Sequence, residues 1–267
     1  MTIETERRDR ILVVRMNRPA ALNALDPESM IALNTVMREF RDDPELFVAV
    51  LTGTGDRAFC TGADLKQTLP SDAGFAETYF QPFSDSVRAG LYVRAITLSD
   101  LDIPKPMIAA VNGHALGGGA EIALDCDIRI ASETATFGLP EARWASVPAV
   151  GGVSKLLRAV PRAVAMHMLL TGDRIDAAEA LRVGLVSEVV PAGDLLDRAV
   201  EIAERIAANG PLAVRSIKTL ATRTEDLPLS RSVELEQLLW GALRDTQDRV
   251  EGRTAFAQRR TPEYQGR

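Results

Sequence analysis

Three consecutive glycines, Gly117 to Gly119, stand just before Glu121, at the start of an apolar segment that has a helical pattern. Glycine stabilises neither helix nor strand, so three in a row indicate a backbone conformation or a close approach that side chains would block. The first turn of a helix has free backbone N–H groups, and the helix dipole adds positive potential there. Donors of this kind, around Gly118, are suited to an oxyanion, with the carboxyl group of Glu121 nearby.

A second turn of this kind is expected in the segment FCTGADL, where Gly62 and Ala63 precede Asp64 and a predicted helix. The N–H of Ala63 is then free, while Asp64 is expected to cap the helix rather than take part in chemistry. Two N–H groups from separate turns, those of Ala63 and Gly118, could together form an oxyanion hole.

Other sites known for glycine-rich turns or serine nucleophiles fit the sequence poorly. A dinucleotide-binding turn needs a third glycine where Ile122 stands, and its acidic residue should end a strand, whereas Glu141 follows a turn. The sequence has neither the Gly-Lys-Ser/Thr of a phosphate-binding loop nor the Gly-x-Ser-x-Gly of a hydrolase. His114 and His167 stand in contexts that do not supply a Ser/His/Asp triad.

The elements that must position these residues alternate between short β-type runs and helical patterns in the first half of the chain. Asp26 followed by Pro27 predicts the start of a helix that reaches about residue 41, and a further helical region is expected at about 75–98. Strands separated by helices indicate an α/β class with a largely parallel sheet. Buried strands are predicted at 11–16, 47–53 and 107–111.

The second half of the chain is predicted to be mostly helical. Its last helix mixes leucines with charged residues, so it is amphipathic and suited to packing on the body or on a partner subunit. We expect a β/α core in residues 1–200 and a helical C-terminal region in residues 201–267. The helices are expected at about 162–170, 177–183, 195–209, 211–223 and 230–248.

Composition makes several classes of protein poor candidates. The net charge is −6 and the basic residues are scattered, so nucleic-acid binding is not expected. Two cysteines are too few for a disulfide framework, and two histidines argue against most multi-histidine metal sites. The N-terminus is charged and no apolar run reaches the length of a membrane span, so we expect a cytoplasmic protein without membrane contact.

Four segments resemble the crotonase (enoyl-CoA hydratase/isomerase) superfamily: AFCTGADLK, NGHALGGGAEIALDCDIRIAS, FGLPEARWASVPAVGG and LLTGDRIDAAEALRVGLVSEVV. The resemblance extends over nearly the whole chain. It implies the ClpP/crotonase-like β/α superhelix, with the C-terminal helices taking part in oligomerisation and active-site closure. It also implies that the N–H groups of Ala63 and Gly118 hold the carbonyl oxygen of an acyl-CoA thioester and stabilise its enolate.

Enoyl-CoA hydratases of this superfamily carry two glutamates, and Glu121 and Glu141 match them. By similarity, Glu121 activates the water that adds to C3 and Glu141 donates the proton to C2. Two carboxyl groups placed close together raise the pKa of one of them, which keeps it protonated at neutral pH. The resemblance thus implies an enoyl-CoA hydratase of lipid metabolism, a hydro-lyase without metal or prosthetic group, to which coenzyme A comes as part of the substrate.

Further matches concern the coenzyme A moiety of the substrate. Adenine is expected against the N-terminal turn, where an alanine replaces a lysine that is common in relatives, so that Arg18 is a candidate substitute. One lysine is expected near the phosphates, and two C-terminal residues near the nucleotide, often from a neighbouring subunit of a homotrimer or a dimer of trimers. The residues assigned to coenzyme A are Ala20, Ala21, Leu22, Lys66, Phe256 and Arg259 by match, and Arg18 as the substitute.

The sequence leaves the acyl group open. Arg143 and Trp144 stand where many hydratases have Leu-Gly, so Trp144 could shorten the acyl pocket and Arg143 could meet an anionic group, or either could face a subunit interface. The C-terminal segment also resembles carnitinyl-CoA dehydratases, which use the same two glutamates. Double-bond isomerisation, which needs one carboxylate, and a non-catalytic acyl-CoA-binding role are both disfavoured by the complete set of residues. No aspartate replaces either glutamate, as a dehalogenase would require.

Overall fold

Two β-sheets form the centre of the structure. The computed structural model describes residues 1–68 and 74–267, and its strands in these ranges are β1 (Ile3–Arg8), β2 (Ile11–Met16), β3 (Val48–Gly53), β4 (Ala58–Cys60), β5 (Met107–Val111), β6 (His114–Leu116), β7 (Ile128–Ser132), β8 (Thr136–Gly138), β9 (Ile175–Asp176) and β10 (Glu188–Val190). The larger sheet has the order β1-β2-β3-β5-β7-β10 and the smaller one β4-β6-β8-β9. Apart from the antiparallel pair β1 and β2, the larger sheet is parallel, as predicted.

Helices surround the sheets and make up most of the chain after β10. They are α1 (Pro27–Asp42), α2 (Phe75–Tyr79), α3 (Phe83–Arg88), α4 (Val93–Ile96), α5 (Gly118–Asp125), α6 (Gly152–Ala159), α7 (Arg162–Thr171), α8 (Ala177–Arg182), α9 (Leu195–Ala207), α10 (Pro211–Thr224), α11 (Leu229–Leu243) and α12 (Gln247–Gln258). The α/β class and the helical C-terminal region are confirmed. Within the described ranges, no helix is long and apolar enough to cross a membrane.

The central strands β2, β3 and β5 of the larger sheet are buried on both faces because a helix covers each face. Successive side chains of a strand point to opposite faces, so in β2 Val14 lies in the cluster that contains α1, and Val13 in the cluster that contains α9. The capping of α1 follows the prediction, since the carboxylate of Asp26 accepts the N–H of Ser29 at 2.8 Å. The buried side chains of α1 include Met30, Leu33, Met37 and Phe40, and those of α9 include Leu195, Ala199 and Ala203.

Two predicted helices are interrupted. The region at 75–98 is divided into α2, α3 and α4, with Pro82 at the start of α3 and Gly90 in the left-handed region at φ 101°. The helix expected at 230–248 ends at Leu243, and the hydroxyl of Thr246 accepts the N–H of Arg249 at 3.2 Å to begin α12. Pro82 and the capping threonine each begin a new helix, and Gly90 follows the end of one, so these local signals override the apolar periodicity.

Candidate active site

Three parallel strands of the smaller sheet end close together and position the candidate residues. β4 pairs in parallel with β6, and β6 with β8. The carboxyl ends of parallel strands lie at the same edge of a sheet, where open α/β folds bind their ligands. Ala63 follows β4, Gly118 and Glu121 follow β6 in the first turns of α5, and Glu141 follows β8. The sheet therefore brings together the four residues predicted to carry the chemistry.

The two turns of the predicted oxyanion hole are in direct contact. Gly62 has a φ of 83°, and a Cβ added to it would lie 2.8 Å from the nitrogen of Gly118. The N–H of Leu25 donates to the carbonyl of Gly62, and the N–H of Asp64 donates to the carbonyl of Leu25, which fixes the first turn. Among the described residues, neither Ala63 nor Gly118 donates its N–H to a protein acceptor. Both donors can therefore bind a carbonyl oxygen.

Glu121 is buried, with 2% of its surface exposed, and is held by two backbone donors. Its Oε1 accepts the N–H groups of Val150 and Gly152, both at 2.8 Å, from the segment that begins α6. Burial raises the pKa of this carboxyl group, while the two N–H donors and the charge of Lys155 act in the opposite direction. Hydrogen bonds from N–H groups stabilise the ionised form, which is the form of a general base.

Glu141 lies in a different environment, in the 3₁₀ turn that begins at Pro140. Burial, with a smaller contribution from the charge of Glu121, raises the pKa of Glu141 to about 7. In the part of the chain that the structure describes, its buried Oε2 has no hydrogen-bond partner. An unpartnered, buried carboxyl oxygen favours the protonated form. The pKa of both carboxyl groups is raised, but Glu121 has two N–H donors that favour its ionised form, which suits Glu121 to the role of base and Glu141 to that of acid.

A cavity of about 230 Å³ connects the oxyanion donors with both glutamates. The described lining residues include no Lys, Arg or His, and no described group of His, Cys, Asp and Glu could hold a metal ion. Most of its remaining wall is apolar, with Thr61 and Ser146 as polar members, so it suits an apolar acyl chain better than an anionic one. The larger apolar and aromatic side chains of this wall are Leu65, Tyr92, Val93, Ile96, Leu116, Trp144, Val147 and Val150.

Arg143 and Trp144, the two residues that the sequence suggested for the acyl pocket, have side chains in different places. Trp144 lines the cavity and is 70% exposed. Arg143 points elsewhere: its Nη2 pairs with Asp173 at 2.5 Å and its Nε donates to the carbonyl of Thr171 at 2.9 Å. Of the two, only Trp144 can contact the acyl group within this chain.

The N-terminal residues matched to coenzyme A lie beside the oxyanion turn. Ala20 and Ala21 belong to the 3₁₀ turn Pro19–Ala21, and the carbonyl of Leu22 accepts the hydroxyl of Thr61 at 3.2 Å. Lys66 follows the oxyanion turn of Gly62 and Ala63 and is exposed.

Arg18 is partly buried at the same place. It forms ion pairs with Asp64 at 3.0 Å and Asp26 at 3.3 Å, and donates to the carbonyl of Ala24. Its charge is already matched by two carboxylates, so the structure gives it a role in holding the turn.

Within one chain, the C-terminal residues matched to coenzyme A lie away from the cavity that contains Glu121 and Glu141. Phe256 is 87% exposed and lines, with Trp240, a surface cavity of about 680 Å³ formed by α10, α11, α12 and the C-terminal tail. Arg259 ends α12 in the left-handed region at φ 56°.

Sequence reasoning missed the groups that hold Glu121. The N–H donors of Val150 and Gly152 come from a segment that the sequence pattern does not connect to α5. Gly151, with φ 96°, turns the chain between them. The pair Gly151-Gly152 was the available signal, since consecutive glycines again indicate a close backbone approach.

Known proteins resemble this chain in sequence and in fold. Residues 6–267 match the family model described as enoyl-CoA hydratase/isomerase. The chain is 47% identical over 266 residues to (E)-benzylidenesuccinyl-CoA hydratase of Thauera aromatica, with 100% of both chains covered. It is 40% identical over 266 residues to carnitinyl-CoA dehydratase of Proteus mirabilis, with 97% of both covered. The crystal structure of enoyl-CoA hydratase from Bacillus anthracis superimposes with a TM-score of 0.88 at 35% identity, with 100% of both chains covered.

Proposed function

The chain belongs to the enoyl-CoA hydratase/isomerase family, and from that premise we propose how it adds water across the C2–C3 double bond of a 2-enoyl-CoA thioester. It is an enzyme, a hydro-lyase. The observation that carries the mechanism is the convergence of β4, β6 and β8, which places two free N–H donors and two unlike carboxyl groups around one cavity.

The N–H groups of Ala63 and Gly118 bind the thioester carbonyl oxygen, which becomes negatively charged as the enolate forms. Each fixed donor of this kind contributes about 10²–10³-fold to the rate, because it needs no reorganisation during the reaction. Both donors belong to the backbone, and the helix dipole of α5 adds positive potential at Gly118. The close contact of Gly62 with Gly118 keeps the two donors together.

Water adds in two proton transfers. The carboxylate of Glu121 takes a proton from water as the oxygen bonds to C3, and the electrons of the double bond move towards the thioester carbonyl. Glu141 then gives its proton to C2, which converts the enolate into the 3-hydroxyacyl product. One proton has moved to Glu121 and one has left Glu141, so the cycle closes when Glu121 loses its proton and Glu141 regains one through solvent, and the net change is the addition of one water.

The different roles of Glu121 and Glu141 favour hydration over double-bond isomerisation. A double-bond shift removes and returns a proton on the same carbon skeleton, for which one carboxyl group is enough. Here Glu121, which accepts two N–H groups, and Glu141, whose buried Oε2 has no partner among the described residues, are suited to opposite tasks.

No prosthetic group or metal enters the steps above, and coenzyme A takes part only as the thioester of the substrate. We expect its adenine against the turn of Ala20, Ala21 and Leu22, with Lys66 near the phosphates. The exposure of Lys66 and the contact between Leu22 and Thr61 support this location. Phe256 and Arg259 would reach the nucleotide from another subunit. The cytoplasmic location of the protein stays a prediction.

A homotrimer or a dimer of trimers is supported by several large apolar side chains that are exposed on the C-terminal helices. Patches of exposed apolar side chains mark protein–protein interfaces. Light scattering tests this proposal: a mass of three or six chains supports it, and a monomer contradicts it. The exposed residues are Ile217, Leu229, Leu238, Trp240, Val250 and Phe256.

For the acyl group, we favour an aromatic ring attached near C3. Trp144 and Tyr92 lie in the wall of the cavity, and aromatic pairs add about 0.5–1.5 kcal/mol beyond the burial of their area. The 47% identical relative is named for an aryl-substituted substrate. A quaternary ammonium group, as in the carnitinyl relative, is the second candidate, because the same two rings could bind a cation.

A panel of thioesters tests the acyl preference. We expect kcat/KM for cinnamoyl-CoA, which carries a phenyl ring at C3, to exceed that for crotonyl-CoA by about tenfold, which corresponds to 1.4 kcal/mol. A preference for crotonobetainyl-CoA would support the ammonium alternative. Equal values for all three would show that neither ring takes part in selection.

A further inference from the structure

Asp125 lies one helical turn after Glu121 on α5, so both side chains are on the same side of the helix. The side chain of Asp125 is 1% exposed and is fully engaged. Its Oδ1 forms an ion pair with Nζ of Lys155 and accepts the hydroxyl of Ser99 at 2.6 Å, and its Oδ2 accepts the N–H of Leu98 at 2.9 Å.

Lys155 belongs to α6, and its side chain folds back over the segment before this helix. Its Nζ lies 3.5 Å from the carbonyl of Val150, and a Cβ added to Gly151 would lie 2.9 Å from its Cε. The N–H groups of Val150 and Gly152 are those that hold Glu121. Contacts therefore run from Glu121 through this segment to Lys155, and through Asp125 back to α5.

We propose that the Asp125–Lys155 ion pair positions Glu121, by tying residues 150–152 to α5 so that the N–H groups of Val150 and Gly152 stay directed at the carboxylate. The inference rests on the proposed function in taking Glu121 as the base. Neither member of the pair lines the cavity in the described chain, so both act through Glu121.

The charge of Lys155 and the position of its side chain both favour the ionised form of Glu121. The groups that face Glu121 are Glu141 across the cavity and Lys155 from α6, while Asp125 and Asp100 face Lys155. The charge of Lys155 lowers the pKa of Glu121, against the effect of burial, and Glu121 in turn favours the charged form of Lys155. Loss of the lysine would remove this charge and loosen the two N–H donors, and both changes raise the pKa of Glu121.

The test is the pH profile of kcat/KM for four proteins: wild type, Lys155→Met, Lys155→Arg and the matched control Lys218→Met. Lys218 forms a similar ion pair, with Asp127 at 2.8 Å, that does not touch the segment at 150–152. We expect Lys155→Met to move the acidic limb to higher pH by about 1 unit, and to lower kcat at pH 7 about tenfold with KM little changed. The arginine variant should keep most of the wild-type profile, and the control all of it.

A purely structural role would lower the melting temperature of Lys155→Met without moving the acidic limb, and this result would overturn the inference. The same movement in Lys218→Met would also overturn it. Asp125→Asn is a second test if the methionine variant does not fold: the lysine charge stays, so kcat should fall while the limb moves less. If wild type shows no hydration, or Glu121→Gln keeps full activity, the proposed function fails; a wild-type profile in Lys155→Met contradicts only this inference.

Discussion

Replacing Gly62 with alanine should displace the oxyanion donor of Gly118 without removing any catalytic side chain. The added Cβ would lie 2.8 Å from the nitrogen of Gly118 and 3.1 Å from the carbonyl oxygen of Leu116, and ordinary contacts begin at 3.4 Å. Both neighbours are backbone atoms, so the two turns must separate by roughly 0.6 Å. A misplacement of about 1 Å can lower a rate about 10²-fold. We therefore expect kcat to fall between about 10-fold and 100-fold.

The matched control is Gly55→Ala. Gly55 has a φ of 86°, close to the 83° of Gly62, but the nearest atom to an added Cβ is 3.7 Å away, on Pro19. Alanine in this backbone region costs about 1–2 kcal/mol in either variant. Both melting temperatures should therefore fall by several degrees, while only Gly62→Ala loses turnover. Equal kcat values in the two variants, measured by loss of the enoyl absorbance, would refute the role of the close contact between the turns.

Further predictions concern Glu141 and Trp144. Activity should fall as the pH rises through about 7, because Glu141 must be protonated and its pKa is raised to about 7; Glu141→Gln should remove this limb from the residual rate. The pKa of Glu141 is about 7 in the folded protein and near 4.5 in the unfolded chain. The stability that this difference contributes is fully present below pH 4.5 and is lost as the pH rises through 7. Hence Glu141→Gln should melt no lower than wild type at pH 8. Trp144→Ala should lower kcat/KM for cinnamoyl-CoA about tenfold but leave crotonyl-CoA nearly unchanged, and equal losses would exclude a ring contact.

Three strands of the larger sheet, β2, β3 and β5, and the first long helix could be predicted from the sequence. The strands at 11–16 and 107–111 have the predicted bounds, since runs of apolar residues bounded by turn residues are a local signal. β1 was not predicted, because of its six side chains only Ile3 is buried and the others give no apolar pattern. This edge strand is held by its antiparallel pairing with β2 rather than by its own composition.

The smaller sheet was not predicted, although it positions the site. β4, β6 and β8 have three residues each, too few to show a period. The glycines indicated two separate turns with free N–H groups, but only the pairing of these strands shows that the turns meet. The donors to Glu121 and the Asp125–Lys155 pair depend on contacts across about 30 residues, which no local pattern encodes.

The structure brings some of the residues assigned by resemblance together and places others apart. Ala63, Gly118, Glu121 and Glu141 share one cavity, as a common chemistry requires. Phe256 lies elsewhere on the chain, so its predicted contact depends on a second subunit. The division into a core of residues 1–200 and a C-terminal region also stays a prediction.

The central claim is that two carboxyl groups with different tasks carry the hydration. Its most direct test is the steady-state rate of Glu121→Gln and Glu141→Gln, measured by loss of the enoyl absorbance of crotonyl-CoA and cinnamoyl-CoA, with circular dichroism as the check on folding. Each glutamine keeps the size of the side chain and removes its proton transfer, so we expect each variant to lose about 10²–10⁴-fold in kcat. Full turnover in either folded variant would contradict the two-carboxylate mechanism.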